Sequence, residues 1–140
     1  MGLRSLIAVA LASGAALLLN RAAAHGARPG PRLAFLLGPG VEEAAKTGFA
    51  LALGAPVVAV HLGFGAAEAV YDASGRRASW SGPGLAAGAM SVVSHAAFGV
   101  VTQVILALAR QPLLAVLGAA VVHALWNVAI VALVDVGRRP

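Results

Sequence analysis

The run from Leu113 to Val134, LLAVLGAAVVHALWNVAIVALV, contains no Asp, Glu, Lys or Arg in 22 residues. A helix needs roughly 20 apolar residues to cross the hydrocarbon core of a bilayer. Four more apolar runs surround it, about Ser5–Leu19, Leu33–Leu53, Pro56–Tyr71 and Leu85–Ala109. The first is marginal in length and the third short. Gly38-Pro39-Gly40 interrupts the second and predicts a break, with a fresh helix starting after Gly40. Frequent Ala and Gly suit close helix packing in lipid. The fold expected is all-α, a polytopic transmembrane bundle of about five membrane segments.

Composition agrees. The 140 residues are 60% hydrophobic and 11% charged, where a soluble domain carries roughly a quarter charged residues. The absence of cysteine excludes a disulfide framework and a thiolate metal site. The net charge of +5 comes from arginines at the ends of apolar runs, without an aromatic-basic patch. The partner it indicates is the lipid bilayer with its anionic headgroups, not nucleic acid.

Arginine placement also orients the chain. Arg21, Arg28, Arg32, Arg76, Arg77, Arg138 and Arg139 fall on one side of the five segments, Arg4 and Arg110 on the other. The bias places the N-terminus outside and the C-terminus in the cytoplasm. Two parts are expected. Residues 1–32 form an N-terminal membrane helix and basic loop, and 33–140 the main helical domain. Met1-Gly2-Leu3-Arg4, the apolar run and Ala22-Ala23-Ala24 also read as a signal peptide, although the arginines that follow resist export of that loop.

Within these runs stand ionisable groups, which at membrane depth persist where they pair, line a cavity or do chemistry. Glu42, Glu43 and Lys46 read V-E-E-A-A-K. Lys46 can reach Glu42 at i+4 or Glu43 at i+3, and the carboxylate left less compensated suits a general base. An acidic helix start near the headgroups is the competing reading. Glu68 closes F-G-A-A-E after Phe64 and shares a helical face with His61, Gly65 and Asp72. An interfacial, solvated carboxylate is its plain reading, and His61 by itself reads as a packing histidine.

His95, Gly99 and Gln103 form a low-volume polar stripe, and His123 and Asn127 stand one turn apart in H-A-L-W-N. That last pair can donate two hydrogen bonds to one oxygen, as an oxyanion hole requires, or serve as interhelical glue.

Taken in order, these motifs resemble the PrsW family of intramembrane proteases, related to the CAAX-protease and bacteriocin-processing group. The resemblance rests on E-E-x-x-K at Glu42, Glu43 and Lys46 and on G-F-x-x-x-E at Gly63, Phe64 and Glu68. It continues with His95 and Gly99, and with H-x-L-W-N at His123, Trp126 and Asn127. It covers about Val41 to Ala132, some two thirds of the chain. It implies an intramembrane endopeptidase in a bacterial cytoplasmic membrane, acting on a membrane protein or peptide of the anti-sigma-factor kind.

By that resemblance Glu42 or Glu43 activates water, with Lys46 pairing the couple and Phe64 in support. His123 and Asn127 receive the oxyanion, while His95 and Glu68 orient water or protein groups. A zinc version would draw its ligands from His95, His123 and Glu68 or one glutamate of the pair, though no H-E-x-x-H occurs. The glutamate version needs no cofactor. A chain this short for the family admits a homo-oligomer. Two further readings stand beside the enzyme: a transporter subunit in which Glu42, Glu68 and His95 relay protons or bind a cation, and a catalytically inactive membrane scaffold. Trp80 and its Ser/Gly-rich loop read as a gate for substrate.

Overall fold

A computed structural model describes residues 1–26, 31–74 and 82–137. Arg28, Arg76, Arg77, Trp80, Arg138 and Arg139, which carry much of the orientation and gating readings, lie outside the described residues. Among the described residues five helices follow one another: α1 (Leu3–Gly26), α2 (Pro31–Ala52), α3 (Val57–Ser74), α4 (Gly82–Ala109) and α5 (Pro112–Gly137). The fold is all-helical, as the apolar runs predict. Leu3–Ala23, Gly84–Ala109 and Pro112–Leu133 are long and apolar enough to cross a membrane. α3 holds the shorter apolar stretch Val57–Tyr71, and α2 carries the charged triplet Glu42, Glu43 and Lys46.

The break expected at Gly38-Pro39-Gly40 does not occur. α2 runs through it with Pro39 inside the helix. Proline ordinarily expels its predecessor from helical geometry by a clash with that residue's amide and Cβ. Gly38 has no Cβ, so half of the clash is missing. Water cannot satisfy the backbone in an apolar surround either, which makes the helix the cheaper state. Glu42 and Glu43 therefore sit mid-helix instead of at a helix start, and the acidic-cap reading fails.

Packing is by small residues. Ser5, Ala8, Ala12 and Ala16 form one fully packed stripe of α1 at three- and four-residue spacing. Ala8 joins Ala50, Val57 and Val60 in one cluster, and Ala12 and Ala16 join Phe64 in another. The outward faces are the large apolar ones: Leu6, Leu11 and Leu18 on α1, Val93, Val100 and Leu108 on α4, and Leu117, Val121 and Leu125 on α5 are all exposed. This inverts the arrangement of a water-soluble bundle, and a contiguous surface of this kind needs lipid or protein against it.

Among the described residues α3 and α4 pack together most extensively, and two glycines permit their close approach. A Cβ on Gly65 would lie 2.8 Å from the Ser91 carbonyl oxygen and 2.9 Å from His95 Cβ. On Gly99 it would lie 2.8 Å from His61 Cβ and 3.1 Å from Val58 Cα. Gly99 thus brings His61 to His95's helix instead of extending a polar stripe, and Gln103 points outward. Gly99→Ala should cost about 1–3 kcal/mol through overpacking. Gly48→Ala, where a Cβ meets nothing within 4 Å, should be neutral or slightly stabilising. Thermal denaturation in detergent separates the two, and equal melting temperatures would refute the close approach.

Candidate functional site

Four helices deliver polar side chains to one buried place near their middles. α2 supplies Glu42, Glu43 and Lys46, α3 His61, Phe64 and Glu68, α4 Ser91, His95 and Phe98, and α5 His123. Glu43, Lys46 and His61 are completely buried and His95 nearly so. Unpaired, each would cost several kcal/mol there. Pairing is what makes the cluster possible.

Glu43 is the hub. Its Oε1 accepts from the Lys46 ammonium at 2.5 Å and from His123 Nδ1 at 2.9 Å, and its Oε2 from His61 Nε2 at 3.0 Å. His61 Nδ1 in turn donates to the Val57 carbonyl at 3.0 Å. Lys46 makes a second bond, to His95 Nδ1 at 2.9 Å, and its ammonium lies 4.7 Å from the centre of the Phe64 ring. The carboxylate and the aromatic face together hold the buried cation. Because Lys46 can only donate, His95 Nδ1 accepts, so His95 Nε2 donates to Glu68 Oε2, at 2.8 Å. Ser91 donates to the same oxygen at 2.7 Å. A continuous chain thus runs Glu68–His95–Lys46–Glu43 and forks to His61 and His123.

Glu42 stands apart from this chain although it is next in sequence. It does not pair with Lys46. Its Oε1 accepts from Asn20 Nδ2 of α1 at a long 3.4 Å. Its Oε2 is buried without a hydrogen bond among the described residues and faces His123 Nε2 at 3.9 Å. Phe98 stacks on the His123 ring at 4.6 Å and meets His95 edge-on at 5.5 Å, which fixes both rings.

Glu42 and Glu68 also line a cavity of about 540 Å³ between α1, α2 and α3. Its walls are otherwise mostly apolar, with Asn20, Arg21 and Tyr71 among the polar exceptions. Arg21 donates to the exposed Tyr71 hydroxyl at 3.2 Å, so Tyr71 ties two helices together at the rim.

The site residues expected from sequence therefore divide. Glu42, Glu43, Lys46, Phe64, Glu68, His95 and His123 converge. Asn127, one turn beyond His123 on α5, is half-buried and makes no hydrogen bond among the described residues. His61 is a member that its lone reading as a packing histidine left out. Its shared face with Glu68 was the available signal. Asn20, Ser91 and Phe98 gave none beyond residue type.

Zinc can be tested on the donors. Glu42, His95 and His123 each offer an atom, and all three lie within 4.8 Å of one another. Glu68 is not in that group. Tetrahedral zinc at its usual bond lengths holds ligand atoms about 3.4 Å apart. Both His95 nitrogens are already committed, one to the Lys46 ammonium and one to Glu68. A zinc ion would have to displace one of them and stand beside a buried lysine charge. The arrangement fits the ammonium and does not fit zinc.

No protein-family model, curated protein or solved structure matches the chain.

Proposed function

We propose that the protein is an intramembrane endopeptidase in which Glu42 activates water for attack on a peptide carbonyl. The observation that carries this reading is the unequal treatment of adjacent glutamates. Glu43 has both oxygens taken by donors from three helices, whereas Glu42 lines the cavity with Oε2 unbonded. Glu43 is then the anchor and Glu42 the base.

The chemistry follows from the geometry. Glu42 Oε2 and His123 Nε2 stand 3.9 Å apart, too far for a direct hydrogen bond, and a water shared between them enters when the two side chains part. Glu42 takes its proton as the water oxygen bonds to the carbonyl carbon. When the carbon–nitrogen bond breaks, the same proton goes from Glu42 to the leaving amine. His123 is held by Glu43 through Nδ1–H, which presents Nε2 to the reacting atoms. His95 and Glu68 act through Lys46, keeping the ammonium against Glu43.

One observation favours the transporter alternative, since the hydrogen-bonded chain from Glu68 to His61 resembles a proton path. Its His61 branch ends at the Val57 carbonyl, however, which accepts a hydrogen bond and cannot pass a proton on. Its His123 branch leads to Glu42, on the same cavity that Glu68 lines. A path with one opening suits a reaction chamber better than a conduit.

The test is cleavage of a pooled library of single-span membrane peptides by the purified protein in lipid. Cleavage should persist with a chelator present, because the donors fit an ammonium. Loss with chelator that zinc restores would overturn the glutamate mechanism. Proton or cation flux in sealed vesicles, without any peptide cut, would establish the transporter instead.

A further inference from the structure

The α2 wall of the cavity holds the base; the facing wall belongs to α1, outside the Val41–Ala132 stretch that carries the family resemblance. Ser13, Ala16, Leu17 and Asn20 line it, spaced i, i+3, i+4 and i+7 and so on one helical face. Two of them are polar and behave unusually. A helical serine or threonine commonly returns its hydroxyl to the carbonyl four residues back. Thr102 does so to Phe98 at 2.9 Å, and Ser74 to Val70 at 2.7 Å. Ser13 does not: its Oγ, like that of Thr47 on α2, is buried and has no hydrogen-bond partner among the described residues. Asn20 turns its amide to Glu42.

On the endopeptidase reading, we infer that the cavity takes its substrate as an extended, unwound segment lying along α1, with the Ser13 hydroxyl bonding the substrate backbone and Asn20 holding Glu42 against the scissile bond. A peptide unit inside a helix has its carbonyl bonded to the amide four residues on, so attack needs local unwinding. Each unwound residue then brings a bare amide and carbonyl into apolar surroundings, where both require partners. A serine hydroxyl can donate and accept, which makes it a partner for either. The spacing also agrees. Seven residues of helix separate Ser13 and Asn20 by about 10 Å, the span of about three extended residues. Ser13 therefore reads the backbone about three residues from the bond cut. Asn20 is a positioning residue, acting through Glu42.

The chain has no cysteine, so Ser13→Cys introduces a single thiol. The probe is a set of synthetic single-span Leu/Ala peptides, each with one cysteine at a successive position, reconstituted with the Ser13→Cys/Glu42→Gln double variant. Disulfide capture should recur at alternate peptide positions, the period of an extended chain. Capture at every third or fourth position would show a helical substrate and overturn the inference. Cleavage by the parent protein with no capture anywhere would overturn it too, while leaving the endopeptidase reading intact. Alternating capture without any cleavage by the parent would do the reverse. With a peptide that is cut, Ser13→Ala should raise KM about fivefold at constant kcat, the effect of one lost uniform hydrogen bond, and Ser13→Thr should restore it. A KM unmoved by Ser13→Ala removes the contact.

Discussion

Glu42→Gln lowers peptide turnover by about 10²–10⁴-fold, the usual contribution of a positioned general base, and leaves the melting temperature close to that of the parent. The two halves of this expectation come from different atoms. Gln keeps an oxygen for the Asn20 amide, and the hydrogen bond at risk is a weak one at 3.4 Å. Glu42 Oε2 has no hydrogen bond to lose. Little folding energy therefore depends on the charge, while all of the proton transfer does. Glu43→Gln makes the contrast. It also removes activity, but only together with stability, because Lys46, His61 and His123 all donate to that carboxylate. Measuring kcat and melting temperature on both variants separates a base from an anchor. Full turnover in Glu42→Gln would end the assignment, and loss of fold in Glu42→Gln would move Glu42 into the anchor's role.

Much of the fold is legible in the sequence because lipid imposes a length and a polarity on each helix. Leu113–Val134 is expected as a helix and lies within Pro112–Gly137. The observed helices extend mostly a few residues past the apolar runs, since helical geometry continues into the polar flanks that hydropathy leaves out. Gly38-Pro39-Gly40 misleads for a definite reason. Pro39 signals a break only through its predecessor's Cβ and a lost hydrogen bond, and Gly38 removes the first. That one misreading moves Glu42 and Glu43 from a helix start to the centre of α2.

The site is legible as a set of residue types but not as a wiring. Lys46 can reach either glutamate by helix spacing, and what decides for Glu43 is two histidines from α3 and α5 that lie 18 and 80 positions away. His61 escapes notice because a lone histidine in an apolar run has too many innocent explanations. Asn127 has the spacing of a paired donor one turn from His123, but it joins no group among the described residues, and the contact that places His123 is Nδ1 on Glu43. Spacing along one helix shows which side chains share a face. It does not show which of them a neighbouring helix will engage.

Lys46→Met costs about 3–5 kcal/mol of stability, the usual penalty for leaving one member of a buried ion pair without its partner. Met matches the length and apolar stem of lysine, so the change is mainly one of charge. Both partners are completely buried, at 0% side-chain exposure each, and water cannot take over the role of the ammonium. Three losses coincide: the bond to Glu43, the bond to His95 and the contact with the Phe64 ring. Lys46→Arg should not rescue the fold, because a planar guanidinium needs more room than a point charge between Glu43, His95 and Phe64. Adding Glu43→Gln to Lys46→Met should recover about 1–3 kcal/mol, since the charge left uncompensated is then gone. Unfolding in mixed detergent, read for the parent, both single variants and the double, gives the coupling directly. Additive effects would mean that Lys46 and Glu43 are stabilised separately by the rest of the cluster, and Glu43 would lose its place as the hub that keeps Glu42 free.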